Sequence, residues 1–248
     1  MLIICCGMPR SGSTLQYQLT SAIVEFKLAG QSLGLVPVTN SISLNQLLQN
    51  NSLSAHKYLV IKRHKYTDEA AELVKTGKAK AIYVYRDLRD VVVSVMNKRQ
   101  ESFEQIAKGN FVENCLDNFY KWASLEDIFV SKYEELTVNL KKEVMRISNY
   151  LGFELNEDSA EKIAENYSLD RQIQRIKNFD YETQGIGQGS VKCEPISLLH
   201  QNHISSGKSG QWRHSLSRQE VSTIENIADF WLIEKGYKLS CYLENDNF

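Results

Sequence analysis

Three short segments of this 248-residue chain place cations, hydroxyls and an imidazole where they could act on a phosphate-bearing anion. Gly7-Met8-Pro9-Arg10-Ser11-Gly12-Ser13-Thr14 has the G-x-x-x-x-G-x-[ST] frame, in which backbone N–H groups and a helix N-terminus cradle phosphate oxygens. The lysine that reaches the outer phosphates of a nucleoside triphosphate is missing. Ser13 stands in its place, and the loop's cation is Arg10. The frame therefore suits an anion other than ATP or GTP held in the usual way. Lys62-Arg63-His64 closes the apolar run that starts at Tyr58, and an imidazole of ordinary pKa ~6.5 can take a hydroxyl proton at neutral pH. Arg86, Asp90 and Ser94 follow a further apolar run, and an arginine fork suits charge-assisted bonds to phosphate. Taken alone, Arg86, Asp90 and Ser94 read first as a surface ion pair beside a solvated hydroxyl. Lys57, Lys62, Arg63 and Lys65 could likewise be an exposed basic turn.

The elements that must position these groups are legible in the apolar pattern. Leu2–Cys6, Tyr58–Ile61, Ala81–Tyr85 and Ile128–Val130 read as buried strands. Helical stripes lie between and after them: Leu15, Leu19, Ala22, Ile23 and Phe26; Phe111, Cys115, Phe119 and Trp122; Leu140, Val144, Ile147 and Leu151. Asp87 is a helix N-cap candidate, and Ser217-x-x-Glu220 is a capping box before Val221, Ile224, Ala228 and Trp231. Strands alternating with helices imply an α/β fold of the three-layer P-loop type, a central parallel sheet flanked by helices. Arg86 then lies at a strand's C-terminal end, where open α/β sheets bind ligands. With no linker or repeat, residues 1–248 read as a single domain. The stretch 178–215 has little periodicity and carries Gly185, Gly187, Gly189, Gly207 and Gly210. It reads as a lid or a surface loop.

Pro9-Arg10-Ser11-Gly12-Ser13-Thr14 resembles the 5′-phosphosulfate loop of the sulfotransferases that use 3′-phosphoadenosine-5′-phosphosulfate (PAPS). Arg86-x-x-x-Asp90-x-x-x-Ser94 matches the family's 3′-phosphate motif, and Lys62-Arg63-His64 matches its Lys-Thr-His with arginine in the middle. Phe129-Val130-Ser131-Lys132-Tyr133-Glu134-Glu135-Leu136 is similar to its adenine-contacting turn, with Tyr133 as the contact. Ser205-Ser206-Gly207-Lys208-Ser209-Gly210-Gln211-Trp212-Arg213 is similar to its lid, with serines at two basic positions and Lys208 expected to compensate in part. Leu15 replaces the tryptophan that stacks on adenine in cytosolic members, and Ser217-Arg218 departs from their dimer motif.

The resemblance implies sulfuryl transfer from PAPS to an acceptor hydroxyl by in-line displacement, leaving PAP, with His64 as general base. Arg10 and Lys62 would stabilise developing charge, and no metal is required. It assigns Arg10, Ser11, Gly12, Ser13, Thr14, Arg86, Ser94, Tyr133, Gly207 and Lys208 to the nucleotide.

Lys+Arg of 29 against Asp+Glu of 30 argues against a nucleic-acid binder acting through bulk basicity. No apolar run suits a spanning helix, the short apolar N-terminus lacks the features of a secretory signal, and five cysteines without a C-x-x-C pair suit a reducing cytoplasm. His200 and His203, with Cys193 upstream, read as loop residues rather than metal ligands. The acceptor could be a small-molecule, saccharide or lipid hydroxyl, and the Lys57–Lys65 cluster fits an anionic acceptor as well as it fits the mouth of a donor site. A P-loop kinase or NTPase, and a non-catalytic PAP-binding protein, are the alternative readings.

Overall fold

The computed structural model describes residues 1–27, 30–36, 43–50, 57–187, 192–202, 204 and 207–242. The strands are β1 (Leu2–Gly7), β2 (Gly30–Leu35), β3 (Tyr58–Lys62), β4 (Ala79–Tyr85) and β5 (Ile128–Lys132). The helices before β5 are α1 (Ser13–Phe26), α2 (Leu44–Asn50), α3 (Asp68–Lys75), α4 (Leu88–Arg99), α5 (Phe103–Lys108) and α6 (Phe111–Ala123). After it come α7 (Tyr133–Val138), α8 (Leu140–Leu151), α9 (Glu157–Asn166), α10 (Leu169–Asn178), α11 (Trp212–Ser215) and α12 (Arg218–Glu234). The sheet is five-stranded and parallel in the order β2-β3-β1-β4-β5. Leu2 lies opposite Leu59 on one side and Ala79 on the other.

Side chains alternate across a strand, so a strand that is apolar throughout must be covered on both faces. Leu2, Ile4 and Cys6 join Leu59, Ile61, Ala81 and Tyr83 on one face, under α3, α4, α6 and α12. Ile3 and Cys5 join Val60 and Ile82 on the other, under α1, α8 and α9. This is the expected three-layer arrangement. Both N-terminal cysteines are small buried core residues, and burial lifts the Cys5 thiol to about 12.

The sequence pattern missed β2, whose Gly-Gln-Ser-Leu-Gly-Leu has no apolar run and lies at a half-exposed edge of the sheet. Asp87 caps α4 by accepting from the Arg89 amide, and Ser217 with Glu220 forms the reciprocal capping box of α12. Of the glycine-rich stretch, the described residues include antiparallel bridges between Ile186 and Cys193 and between Cys193 and His200. Gly189, His203, Ser205 and Ser206 lie outside the described residues. Parallel pairing brings the C-terminal ends of β1, β3 and β4 to one edge, with β1 in the middle. Later strands depart from β1 in both directions, and a crevice opens at such a point.

Candidate active site

The chain leaves β1 through a loop that the sheet itself shapes. The Met8 amide donates to Val84 O at 3.0 Å, and the Ser11 hydroxyl donates to both Met8 O (2.7 Å) and Val84 O (3.0 Å). A Cβ on Gly7 would sit 2.7 Å from Val84 O, so only glycine permits this approach. Arg10 takes φ 62°, a left-handed conformation that costs a side-chain-bearing residue roughly 1–2 kcal/mol. Gly12, at φ 83°, caps α1 without a side-chain hydrogen bond, and the first turn of α1 carries no acid. The leading amides of that helix are thus left for an anion.

The cations converge on this helix end. Lys62, buried at the end of β3, donates to Thr14 Oγ1 at 2.5 Å. Burial, aided by the charges of Lys98 and Arg10, lowers its ammonium pKa to about 7. Arg10 Nε donates to Ser94 Oγ at 2.9 Å. Arg86, also buried, donates through Nη2 to Lys208 O at 2.8 Å, pairs with Asp90 at 3.6 Å and lies 4.3 Å above the Tyr133 ring. Its Nε is buried without a partner.

His64 follows the sheet's C-terminal edge. Its Nδ1 is 3.0 Å from Gly7 O, and a carbonyl can only accept, so Nδ1 carries the proton and Nε2 the lone pair. Asn118 Nδ2 and Trp122 Nε1 both donate to His64 O, which holds the residue from α6. Burial, then repulsion from Lys62, lowers the imidazole to about 4, so it is neutral at pH 7. These groups open on one cavity of about 610 Å³ whose described lining contains Arg10, Lys62, Arg86, Lys98 and Arg99 but no carboxylate.

A sequence profile of the sulfotransferase domain matches residues 2–238. The chain belongs to the sulfotransferase family. It is 21% identical to flavonol 3-sulfotransferase of Flaveria bidentis over 257 residues, covering 92% of this chain and 80% of that protein. Its fold matches mouse sulfotransferase SULT7A1, solved with PAP, at a TM-score of 0.66 and 16% identity, covering 94% of this chain and 83% of that one. Retinol dehydratase, solved with androsterone and the inactive cofactor PAP, matches at 0.62 and 18% identity, over 96% and 82% of the two chains. This chain is a sulfotransferase.

Set on this sulfotransferase fold, Arg10, Gly12, Ser13, Thr14, Lys62, His64, Arg86, Ser94, Tyr133 and Gly207 all line the cavity, and Leu15 sits among them. Tyr133 packs its ring on Gly12, where a Cβ would lie 2.8 Å from Cδ2, and its hydroxyl donates to Gly207 O at 3.0 Å. Ser11 lies off the cavity wall, fully buried with its hydroxyl tied into the loop. Lys208 offers its carbonyl to Arg86 while its side chain is exposed and off the wall. The basic cluster disperses: Lys57 and Lys65 are exposed, Arg63 is buried away from the wall, and only Lys62 enters the cavity.

Sequence reasoning missed three features of this site. Asp90 anchors the second glycine turn by accepting from the Gly210 amide at 2.7 Å and the Trp212 amide at 3.1 Å. Thr137, Leu140, Tyr167 and Leu169 line the cavity from α7 to α10. Lys98 Nζ donates to His200 Nε2 at 2.9 Å. The i, i+4 spacing of Asp90, Ser94 and Lys98 on one helix was the available signal.

Proposed function

We propose that this enzyme moves the sulfuryl group of PAPS to the hydroxyl of a small-molecule acceptor, with His64 as general base. The observation that carries this reading is the convergence of Arg10, Lys62 and Arg86 on a cavity at the N-terminus of α1 whose described lining holds no carboxylate. The donor's chemistry fits the residues present. The uncapped first turn and Arg10 suit a 5′-phosphosulfate, while Arg86, with its unpartnered buried Nε, and Ser94 suit a 3′-phosphate. Tyr133, Leu140 and Leu169 offer apolar surface to a base, and Gly210 and Trp212, from the stretch read as a lid, are held by Asp90.

PAPS, when bound, supplies the sulfuryl group and carries the electrons of the broken S–O bond away as PAP. His64 Nε2 accepts the acceptor's hydroxyl proton as that oxygen bonds to sulfur, its orientation fixed by the Nδ1–H bond to Gly7 O. A pKa of about 4 makes a weak base. An anion beside Lys62 raises both groups toward their ordinary values, so the base gains strength when donor is present. Arg10 and Lys62 stabilise charge on the transferring and leaving oxygens, the electrostatic contribution that dominates loose transfers of this kind. All five cysteines are free thiols, which fits a reducing cytoplasm. Among the described residues, no helix is long and apolar enough to cross a membrane.

A thermal-shift titration with PAP beside ATP plus magnesium tests the donor. Ligand at ~100 Kd adds roughly 2.7 kcal/mol of apparent stability. A shift with PAP is expected. A shift with ATP and none with PAP would overturn the reading and restore the kinase alternative.

A further inference from the structure

Beyond Arg10, Lys62 and Arg86, the cavity holds a cation that the donor reading leaves unemployed. Lys98 stands one helical turn past Ser94 on α4, about 6 Å further along the axis. Its ammonium meets His200 Nε2 at 2.9 Å, where the ring nitrogen must accept because an ammonium can only donate. His200 is buried, and burial together with the charges of Lys98, Arg10 and Lys62 drops its pKa to about 3, so it stays neutral and cancels none of the lysine's charge. The described cavity wall holds no carboxylate to do so either. Arg86 has Asp90 and Arg99 has Glu101, whereas the partner of Lys98 is an uncharged imidazole.

The surroundings of Lys98 differ from the phosphate end. His200 is carried by the loop that brings Leu198 and Leu199 to the wall, with Leu35 from the end of β2 close by. That wall is built firmly. Gly34 packs against the Leu198 side chain and Pro195 O, its amide donates to Tyr17 Oη at 3.0 Å, and Gln18 Nε2 donates to Ser197 O at 2.7 Å. Leu198 holds φ 59°, a strained conformation for a bulky residue. His64 is near enough to Lys98 for the ammonium to lower its pKa. An apolar wall, one uncompensated cation and the candidate base share this end of the cavity.

We propose that Lys98, aimed by His200, is a specificity-determining residue that selects a small acceptor carrying a carboxylate as well as the reacting hydroxyl. The proposal rests on the sulfotransferase reading above. Its occupant is an amphipathic acid: the apolar body lies on Leu35, Leu198 and Leu199, the carboxylate meets Lys98, and the hydroxyl faces His64. The anionic preference suggested by the Lys57–Lys65 cluster thus returns from a different residue.

The test uses the intact protein saturated with PAP and a panel of hydroxyaryl acids, such as 4-hydroxyphenylacetate, each beside its neutral primary amide. Binding is read by calorimetry and thermal shift, and turnover with PAPS is followed in parallel. PAP binding is measured first, because its absence would sink the donor reading itself rather than this proposal. With PAP bound, at least one acid binds about tenfold or more tighter than its amide, the scale of a charge-assisted bond. Lys98→Met erases that preference and Lys98→Arg keeps it, with melting temperatures checked for both. His200→Ala, which loosens the aim of the lysine, weakens the preference without abolishing it. The proposal falls if the amides match the acids across the panel, if Lys98→Met keeps the preference, or if Lys98→Met weakens PAP as much as it weakens the acid. That last outcome would make Lys98 a donor ligand.

Discussion

With the donor placed beside Lys62 as proposed, its binding is expected to take up a proton. In the free protein the Lys62 ammonium has a pKa of about 7, lowered first by burial and then by Lys98 and Arg10. At pH 8 such a lysine is only about 10% protonated. PAP would set phosphate oxygens beside it and return it toward its ordinary ~10.4, where it is almost fully protonated at pH 8. The expected uptake is therefore about 0.9 protons per PAP at pH 8, about 0.5 at pH 7 and about 0.1 from this group at pH 6. His64, whose lowered pKa lies at about 4, adds nothing at pH 8 even if PAP restores it to its ordinary value. The sign follows directly: the protonated lysine is the form that binds, so affinity falls as pH rises, by about ninefold between pH 8 and 9. Isothermal calorimetry at pH 8 in buffers of different ionisation enthalpy measures the uptake as the slope of the observed heat. Lys62→Met should abolish it. Zero uptake in the wild type, or the same uptake in Lys62→Met, would refute the placement of Lys62 beside the donor.

Other substitutions probe the remaining parts of the site. His64→Asn removes the proposed base, and turnover with PAPS should fall by roughly 10²- to 10⁴-fold while PAP affinity changes little. Equal losses in both would show a binding role instead. Gly12→Ala forces a side chain into φ 83° and against the Tyr133 ring. A strain of ~1–2 kcal/mol predicts a melting temperature lower by about 2–8 °C for a domain of this size. Asp90→Asn leaves one acceptor where the carboxylate now serves both Gly210 and Trp212 amides. Hydrogen exchange at residues 210–212 should accelerate, with α12 unchanged.

The sheet was legible wherever burial on both faces demanded unbroken apolar runs, as in β1, β3 and β4. Gly30–Leu35 escaped because two glycines, a glutamine and a serine leave it no apolar run. The site divides along a similar line. Arg86, Lys62 and His64 sit at or just past strand ends and Ser94 within the first two turns of α4, where position follows from sequence and the family resemblance supplies the pairing. Groups set by tertiary contact were not legible. Nothing in the local pattern shows that the Ser11 hydroxyl closes onto Val84, that Arg63 turns from the cavity while Lys62 enters it, or that Lys98 meets His200 from 102 residues away. Composition misled at Lys57–Lys65, since alternation along β3 and its exit sends neighbouring cations to different surroundings.

A crystal structure of the protein with PAP shows most directly where the donor's two phosphate ends lie. The 5′-phosphate should sit on the amides opening α1, beside Arg10 and Lys62, with the 3′-phosphate on Arg86 and Ser94 and adenine against Tyr133. A PAP bound with both phosphates away from Arg86 and the N-terminus of α1 would contradict the account.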